Sequence, residues 1–330
     1  MRSSAWLAAL SIALFTAAAS AATGSGVLLV GNKGENSVSF VDLGSGEEIA
    51  RKPTGAMPHE IAISPDGRKA AVVAYGEKSI DIFDTESRQK LKTIDLGPNR
   101  GPHGIVWLGD GRIVVTTERS KSVAVVDPAS GELIASIPTG QEGTHMVAAT
   151  RDGTRAYTAN IAAGTVTVID LKAGAKIADH QVGGRPEGIA LSLDERVLWV
   201  ADLEGARVQA FDRSSFDSSS FEKLAEVETG AVPIRVAASP DGRWIVTSNL
   251  GDGSLTMIDS ASLKKVRDVE VSGTREAGQV TILFGPDGKL YAAETGRDMV
   301  AEIDLQSGTV LRRLPAGAQG DGLAIAPASP

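Results

Sequence analysis

The segment HEIAISPDGRKAAVVAYGEKSIDIFDTESRQKLKTIDL, residues 59–96, contains four short runs rich in Val, Ile and Ala that are separated by polar turns. The runs HEIAIS, KAAVVAY, SIDIFD and KLKTIDL have the length of strands and lack a helical period. In the SPDG turn between the first two runs, Pro65 presets φ and Gly67 accepts a left-handed conformation. The segment therefore predicts a four-stranded sheet.

This unit recurs along the chain. Its third run ends in an aspartate, and successive aspartates are 42 to 47 residues apart: Asp42, Asp84, Asp127, Asp170, Asp212, Asp259 and Asp304. The turn recurs in phase as SPDG at 64–67 and 239–242, LGDG at 108–111, TRDG at 150–153, SLDE at 192–195 and GPDG at 285–288. Seven four-stranded units at this period predict an all-β, seven-bladed β-propeller.

The two ends of the repeat predict how the ring closes. VLLVGN at 27–32 matches a second strand, and GLAIAP at 322–327 matches a first strand. We therefore expect a closing blade shared by the N- and C-terminal strands. The longest interval contains RSSFDSSSFEKL at 213–224, which reads as a longer outer hairpin, and His180 is expected at the surface of an outermost strand.

The N-terminus has the pattern of a secretory signal. Arg2 precedes an apolar stretch at 7–15, too short to span a bilayer, and a small-residue run at 17–22 follows. We predict a cleaved signal peptide at 1–22, a single propeller domain at 23–330, and a periplasmic or secreted protein. With no cysteine, the domain has no disulfide and no lipoprotein anchor.

The composition limits the partners. A formal net charge of −8 argues against a nucleic-acid binder, which would carry a basic stripe. The negative net charge also argues against attachment to anionic lipid, so we expect no membrane anchor. We further expect the protein to be a monomer. The sequence contains no GxSxG elbow, Walker loop or HExxH motif.

The repeat resembles the YVTN-repeat family of exported seven-bladed propellers. The resemblance rests on AYTANIAAGTVTVIDLKAG at 156–174, GPHG at 101–104 and the two SPDG turns. It implies the fold rather than one activity, because the family includes cell-surface proteins, substrate binders, and relatives of lactonases and of haem or quinoprotein domains.

Candidate functional residues form a ring at the start of each innermost strand. The repeat predicts one such residue in each blade, and in chain order they are His59, His103, His145, Glu187, Arg235, Gln279 and Asp321. The three histidines and Glu187 fall in consecutive blades, and such a set suits Zn, Mn, Fe or Cu. Arg235 then faces an anionic group of a substrate. Alternatively, the histidines pack at the channel mouth, and Glu187, Arg235 and Asp321 form an ion-pair network.

A second ring is expected at the ends of the second strands. Its members are Asn32, Tyr75, Glu118, Asn160, Asp202, Asn249 and Glu294. Asn and Asp have a structural role there, because they hydrogen-bond the following loop. Glu118 and Glu294 are exceptions to this Asn and Asp pattern, which makes them functional candidates. Ion pairs with Arg119 and Arg297 would explain the two glutamates equally well.

Two function classes follow, with a third from family analogy. The first is an exported propeller that binds a small, possibly anionic molecule, a metal or a periplasmic protein at the channel mouth. The alternative is a metal-dependent lyase or hydrolase, lactonase-like, with Glu118 or Asp321 as the acid–base group and Arg235, Gln279 and Glu294 against the substrate. The third is a role in a periplasmic redox pathway.

Overall fold

The computed structural model describes residues 26–217 and 221–328, which form seven antiparallel sheets of four strands each. The predicted all-β, seven-bladed propeller is confirmed. The expected signal peptide at 1–22 lies outside the described residues. Within them, no helix is long and apolar enough to cross a membrane.

The strands are numbered in chain order, and blades 1 to 6 each use four consecutive strands from the innermost outwards. Blades 1 to 3 consist of β4 Pro58–Ile63, β5 Lys69–Ala74, β6 Ser79–Asp84, β7 Lys90–Asp95, β8 Pro102–Trp107, β9 Ile113–Thr117, β10 Ser122–Asp127, β11 Glu132–Pro138, β12 Thr144–Ala149, β13 Arg155–Asn160, β14 Thr165–Asp170 and β15 Ala175–Gln181. Blades 4 to 6 consist of β16 Pro186–Leu191, β17 Val197–Asp202, β18 Arg207–Asp212, β19 Lys223–Glu228, β20 Pro233–Ala238, β21 Trp244–Asn249, β22 Ser254–Asp259, β23 Lys264–Glu270, β24 Gln279–Phe284, β25 Leu290–Glu294, β26 Met299–Asp304 and β27 Thr309–Pro315.

The closing blade, blade 7, joins both ends of the described chain. Its strands are β28 Gly320–Ala326, β1 Val27–Asn32, β2 Ser37–Asp42 and β3 Glu48–Pro53, in that order from the channel outwards. The terminal strands pair antiparallel over their length, from Val27 opposite Ala326 to Asn32 opposite Gly320. The predicted closure is therefore confirmed.

The core lies between the blades. One cluster combines Val73 and Ile80 of blade 1 with Ile113 and Val115 of blade 2, all fully buried. The β-branched side chains of the middle strands stand on both faces of a sheet, and each face packs on the neighbouring blade. The outermost strands alternate between exposed and half-buried residues, as expected for a sheet edge.

Each outermost strand carries a β-bulge. In blade 1, Ile82 pairs with Lys92 and Phe83 with Lys90, so Leu91 has no partner in the ladder. The bulged residue is an exposed aliphatic side chain in all seven blades: Ile49, Leu91, Ile134, Ile177, Leu224, Val266 and Leu311. A bulge interrupts the flat edge that another strand would need for pairing, so the repeat protects its edges from aggregation.

The described parts of the long insertion, residues 213–217 and 221–224, contact the propeller. The short helix α1, Arg213–Phe216, is capped by Asp212, and the hydroxyl of Tyr157 in blade 3 donates to Asp217 at 2.8 Å. Phe221 stacks on His180, with ring centroids 5.4 Å apart. His180 is 8% exposed, so its expected surface position is wrong, because the insertion of the next blade covers it.

Candidate functional site

The hydrogen-bond register defines which residues surround the channel mouth. Seven residues of the innermost strands pair with the ends of the second strands: Pro58, Pro102, Thr144, Pro186, Pro233, Gln279 and Gly320. The residues that follow them form what we call the mouth ring, which contains His59, His103, His145, Glu187, Ile234, Val280 and Asp321.

Two residues of the expected ring are therefore displaced by one position. Arg235 lies one residue after the mouth ring, and Gln279 lies one residue before it. The comparison of the seven repeats placed a polar side chain at the ring in every blade, whereas the hydrogen-bond register in blade 5 places Ile234 there. In blade 6, a 3₁₀ turn at Arg275–Ala277 precedes the strand and lengthens its entry loop.

Glycines after the mouth ring bring neighbouring strands into backbone contact. A Cβ on Gly104 would lie 2.7 Å from the carbonyl oxygen of His145, and one on Gly322 would lie 1.9 Å from that of His59. No side chain fits at such distances, so these positions require glycine. The close approach brings the mouth-ring side chains of adjacent blades together.

The three histidines form a stack with Tyr75. The ring centroids of His103 and His145 are 3.6 Å apart, and those of His59 and His103 are 4.7 Å apart. Tyr75 lies 4.8 Å from His59, and the guanidinium of exposed Arg119 lies 4.7 Å from the Tyr75 ring centroid. The structure thus brings together the predicted histidines, with their ring planes tilted by 33° to 58°.

Two carboxylates hold the ring of His145. Its Nδ1 is 3.1 Å from Glu118 Oε2, and its Nε2 is 3.4 Å from Glu187 Oε1. Burial disfavours the charged imidazolium, but the hydrogen bonds to the two carboxylates outweigh it and raise the pKa of His145. Burial and the neighbouring His145 lower the pKa of His103 well below its usual value. The two stacked histidines therefore favour opposite protonation states.

The guanidinium of Arg235 spans the channel. Its Nη1 donates to Glu187 Oε1 at 2.6 Å, and its Nη2 donates to Glu60 Oε1 at 2.9 Å. Glu60 belongs to blade 1 and Arg235 to blade 5, on different sides of the ring, and their side chains are 9% and 6% exposed. We call this group the cross-channel bridge. Burial raises the pKa of Glu60 even though Arg235 opposes the shift.

Glu60 is the functional residue that sequence reasoning missed. It occupies the position after the mouth ring where Gly104, Gly188 and Gly322 stand in other blades. A charged residue in a glycine position was the available signal. Its partner could not be identified, because Arg235 lies 175 residues away in the chain.

Asp321 joins a separate ion pair at the mouth. Lys33 Nζ is 2.9 Å from Asp321 Oδ2, and the hydroxyl of Thr281 donates to Asp321 Oδ1 at 3.3 Å. Burial opposes ionisation of this carboxyl, but Lys33 and Arg235 outweigh it and lower the pKa of Asp321. Asp321 is therefore a carboxylate at neutral pH.

Gln279 contacts the neighbouring blade 5, and Glu294 contacts its own blade 6. Gln279 donates to the carbonyl of Ser254 at 2.7 Å, and buried Glu294 accepts from Arg297 at 3.2 Å and from Arg313 at 2.6 Å. Glu118 and Glu294 are not equivalent. Glu294 is the last residue of β25, whereas Glu118 follows the end of β9 and reaches His145.

The predicted metal ligands do not form a coordination set in this arrangement. Within the described ranges, no group of three or more His, Cys, Asp or Glu side chains is placed to hold one metal ion. Glu187 is engaged by Arg235 and His145, and His59 Nδ1 lies 2.9 Å from the Met57 carbonyl. The imidazole planes are inclined to one another by 33° and 58°, and no three of these side chains present their ligand atoms to one point, so the residues as placed do not fit the predicted ion.

We expect the two stacked histidines to give opposite pH dependences of stability. Below the usual histidine pKa, the unfolded chain binds a proton that buried His103 does not, so the free energy of unfolding falls as the pH falls. The raised pKa of His145 contributes stability that is present below the usual value and is lost as pH rises through the raised one. Urea unfolding between pH 5 and pH 8 measures both effects.

The control is each histidine changed singly to glutamine. His103→Gln should lose less stability than the unmodified protein on acidification. His145→Gln should lie closest to the unmodified protein in stability at the alkaline end of the range. Parallel curves for all three proteins would contradict the assignment.

A family model described as a seven-bladed β-propeller lactonase matches residues 27–215. The β subunit of hydrazine synthase from Kuenenia stuttgartiensis is 28% identical over an alignment 256 residues long, and the match covers 68% of this chain and 60% of that protein. The chain therefore spans about 60% of the length of that curated relative.

Solved structures share the fold at low identity. A protein of unknown function from Desulfotomaculum acetoxidans superposes with a TM-score of 0.80 at 16% identity, over 92% of this chain and 100% of that one. The periplasmic gluconolactonase PpgL of Pseudomonas aeruginosa gives 0.74 at 21% identity, over 92% and 99%. At such identities, the likeness extends to the fold alone.

Proposed function

The chain belongs to the seven-bladed β-propeller lactonase family, and from that premise we propose that it binds and hydrolyses a small cyclic ester at its channel mouth. The proposal depends on the stacked pair His103 and His145, whose pKa values are shifted in opposite directions. Adjacent groups driven into opposite protonation states supply a base and an acid at one pH.

Two buried nitrogen atoms support a ligand at this place. His103 Nδ1 and Arg235 Nε have no hydrogen-bond partner among the described residues. Buried polar atoms of folded proteins rarely lack one, so each has a hydrogen bond to offer to a ligand or water molecule that enters the channel. In the tautomer with its proton on Nε2, His103 Nδ1 is a free base, while the Arg235 N–H can donate to a carbonyl oxygen.

The charges around the mouth favour an uncharged ligand. Four cationic groups face four carboxylates when His145 is protonated: Lys33, Arg119, His145 and Arg235 against Glu60, Glu118, Glu187 and Asp321. Both Nη atoms of Arg235 are already bound to carboxylates. We therefore propose a neutral ester carbonyl rather than an anionic group as the recognised feature.

The hydrolysis uses one water molecule. His103 accepts a proton from the water while its oxygen attacks the carbonyl carbon, and Arg235 donates to the carbonyl oxygen. His145 gives its proton to the ring oxygen as the carbon–oxygen bond breaks, which yields the open hydroxy acid. Proton exchange with solvent then returns His103 to its neutral form and His145 to its protonated form. Glu118 and Glu187 position the His145 ring and favour its protonated form. Solvent reaches the site, because the side chains of His145 and Glu118 keep 12% and 25% of their exposure.

We expect the purified protein to accelerate the hydrolysis of D-glucono-1,5-lactone or δ-valerolactone, measured as proton release above the uncatalysed rate. His145→Gln should lower kcat/KM by at least about 100-fold, because the general acid is lost. Glu118→Gln should shift the pH profile towards acid, because the pKa of His145 loses one of its supports.

The matched control is His180→Gln, which changes the histidine on the outermost strand of blade 3 and should leave the rate unchanged. Lactone binding without turnover would make this a binding propeller and contradict the hydrolysis. A metal content near one ion per chain in protein prepared without chelator would restore the predicted metal-dependent alternative.

We also propose export to the periplasm. Arg2, the apolar stretch at 7–15 and the small residues at 17–22 support a signal peptide, and the similar gluconolactonase of Pseudomonas aeruginosa is itself called periplasmic. N-terminal sequencing of the mature protein checks this. A chain that retains Met1 in the cytoplasm would contradict it.

A further inference from the structure

A cleft of about 870 Å³ lies between blades 5 and 6. It is lined by the turns that join the first and second strands, including Ser239–Asp241 and Pro286–Lys289. These turns lie at the opposite end of the strands from the mouth ring. We call it the interblade cleft; its volume falls in the range of small-molecule sites.

The floor of the interblade cleft is apolar. Trp244, Met257 and Phe284 line it, and Trp244 and Phe284 are partly buried against the core of these two blades. Val266, the bulged residue of β23, is 49% exposed beside them. A partly exposed aromatic surface in a concave site favours an apolar ligand body.

Two guanidinium groups at the cleft lack a carboxylate partner. No Asp or Glu oxygen of the described chain lies within 4.0 Å of the guanidinium of Arg243 or Arg267. Arg243 lies over the Trp244 ring, 5.0 Å from its centroid, and Arg267 Nη2 donates to the carbonyls of Leu305 and Gln306. Neither guanidinium is held by a bidentate carboxylate contact, so each retains N–H donors for an anion.

The carboxylates near the cleft are engaged elsewhere. Asp241 accepts from the hydroxyl of Ser239 and the backbone N–H of Arg243, and Asp304 accepts from Ser307 and the backbone N–H of Gln306. These hydrogen bonds hold both carboxylates within their own turns. The cleft therefore has an apolar floor and two arginines without a direct ion pair, while the charges of Asp241 and Asp304 remain nearby. The pKa values of both carboxyls are lowered mainly by these hydrogen bonds and in part by Arg243 and Arg267.

The space next to the equivalent turn glycine is occupied at three other blade interfaces. Leu193 of blade 4 packs against Gly242 of blade 5, and a Cβ added to Gly242 would lie 3.0 Å from the Leu193 side chain. Pro327 packs in the same way against Gly67 of blade 1. Arg112 of blade 2 donates to the carbonyl of Gly153 at 3.2 Å. A Cβ on Gly288 of blade 6 would meet no atom within 4 Å. A Cβ on the equivalent Gly111 of blade 2 would also meet no atom within 4 Å, so the turn glycine is free at two blade interfaces, and the cleft between blades 5 and 6 adds an apolar floor to this opening.

We propose that the interblade cleft binds a small apolar carboxylate, with its hydrocarbon or aromatic body on Trp244 and Phe284 and its carboxylate on Arg243 and Arg267. A guanidinium matches a carboxylate in geometry and charge. The site is separate from the channel mouth and does not depend on the lactone hydrolysis.

Calorimetric titration with 4-phenylbutyrate tests this binding, with the uncharged 4-phenylbutyramide as the matched probe. We expect one molecule of the acid per chain and at least about tenfold weaker binding of the amide. Arg243→Ala and Arg267→Ala should each weaken binding of the acid by about tenfold. Binding should also change the fluorescence of Trp244, and Trp244→Phe should remove that change.

Arg68→Ala is the matched control, because Arg68 follows the SPDG turn of blade 1 as Arg243 follows that of blade 5. It should leave the affinity unchanged, as should His145→Gln in the channel. Equal affinity for acid and amide, no binding at millimolar acid, or full affinity in both arginine variants would each overturn the proposal. Loss of binding in His145→Gln would place the ligand in the channel and overturn it too.

Discussion

Replacement of Arg235 by methionine should lower the free energy of unfolding by about 3–5 kcal/mol. Methionine fills a similar volume but leaves Glu60 and Glu187 buried without their shared cation. The cost comes mainly from the two uncompensated carboxylates rather than from the lost attraction, because desolvated charges are expensive without a partner. Urea unfolding at neutral pH measures the change.

A triple variant separates the two contributions. Arg235→Met combined with Glu60→Gln and Glu187→Gln removes the buried charges and should recover a large part of the lost stability. Arg151→Met is the matched control, because Arg151 pairs with Glu195 of the next blade but its side chain is 69% exposed. That exposed pair should contribute less than about 1 kcal/mol. A loss of similar size in both single variants would contradict a buried bridge.

We expect Gly322→Ala to destabilise the propeller by at least about 3 kcal/mol. A Cβ at this position would lie 1.9 Å from the carbonyl oxygen of His59, and a backbone atom cannot move aside as a flexible side chain can. Gly322 is on β28, the terminal strand that closes the ring against β4 of blade 1. The substitution should separate blade 7 from blade 1 and lower the unfolding midpoint in urea.

Gly109→Ala is the matched control for this substitution. The nearest atom to a Cβ on Gly109 is the carbonyl oxygen of Arg151 at 3.6 Å, an ordinary contact distance. This variant should unfold within about 1 kcal/mol of the unmodified protein. If both glycine variants are equally stable, close backbone approach is not what fixes the spacing of β28 and β4.

The fold was predictable because its determinants are local. The SPDG turn at 64–67 and the β-branched run that ends at Asp84 each specify a short piece of antiparallel sheet within one unit. Seven copies then leave one arrangement that buries both faces of each sheet. Even the closing blade followed from the same pattern, since a second-strand run begins the propeller and a first-strand run ends it.

The mouth was predictable in part. His59, His103, His145, Glu187 and Asp321 occupy the expected ring, because each lies in the same phase of its unit. Arg235 and Gln279 do not, because the register at the start of an innermost strand depends on a bulge and on the length of the entry loop. A one-residue difference of this kind is set by hydrogen bonds with the neighbouring strand.

By itself, the sequence determined the number of blades, their strand order and the place where three histidines meet. Only the tertiary structure decided that the histidine rings contact one another at tilted angles, that Glu60 and Arg235 bridge the channel, and that a cleft lies between blades 5 and 6. The physical reason is that strand pairing is encoded within each unit of 42 to 47 residues. The bridge, by contrast, joins atoms 175 residues apart that meet only once the ring has closed.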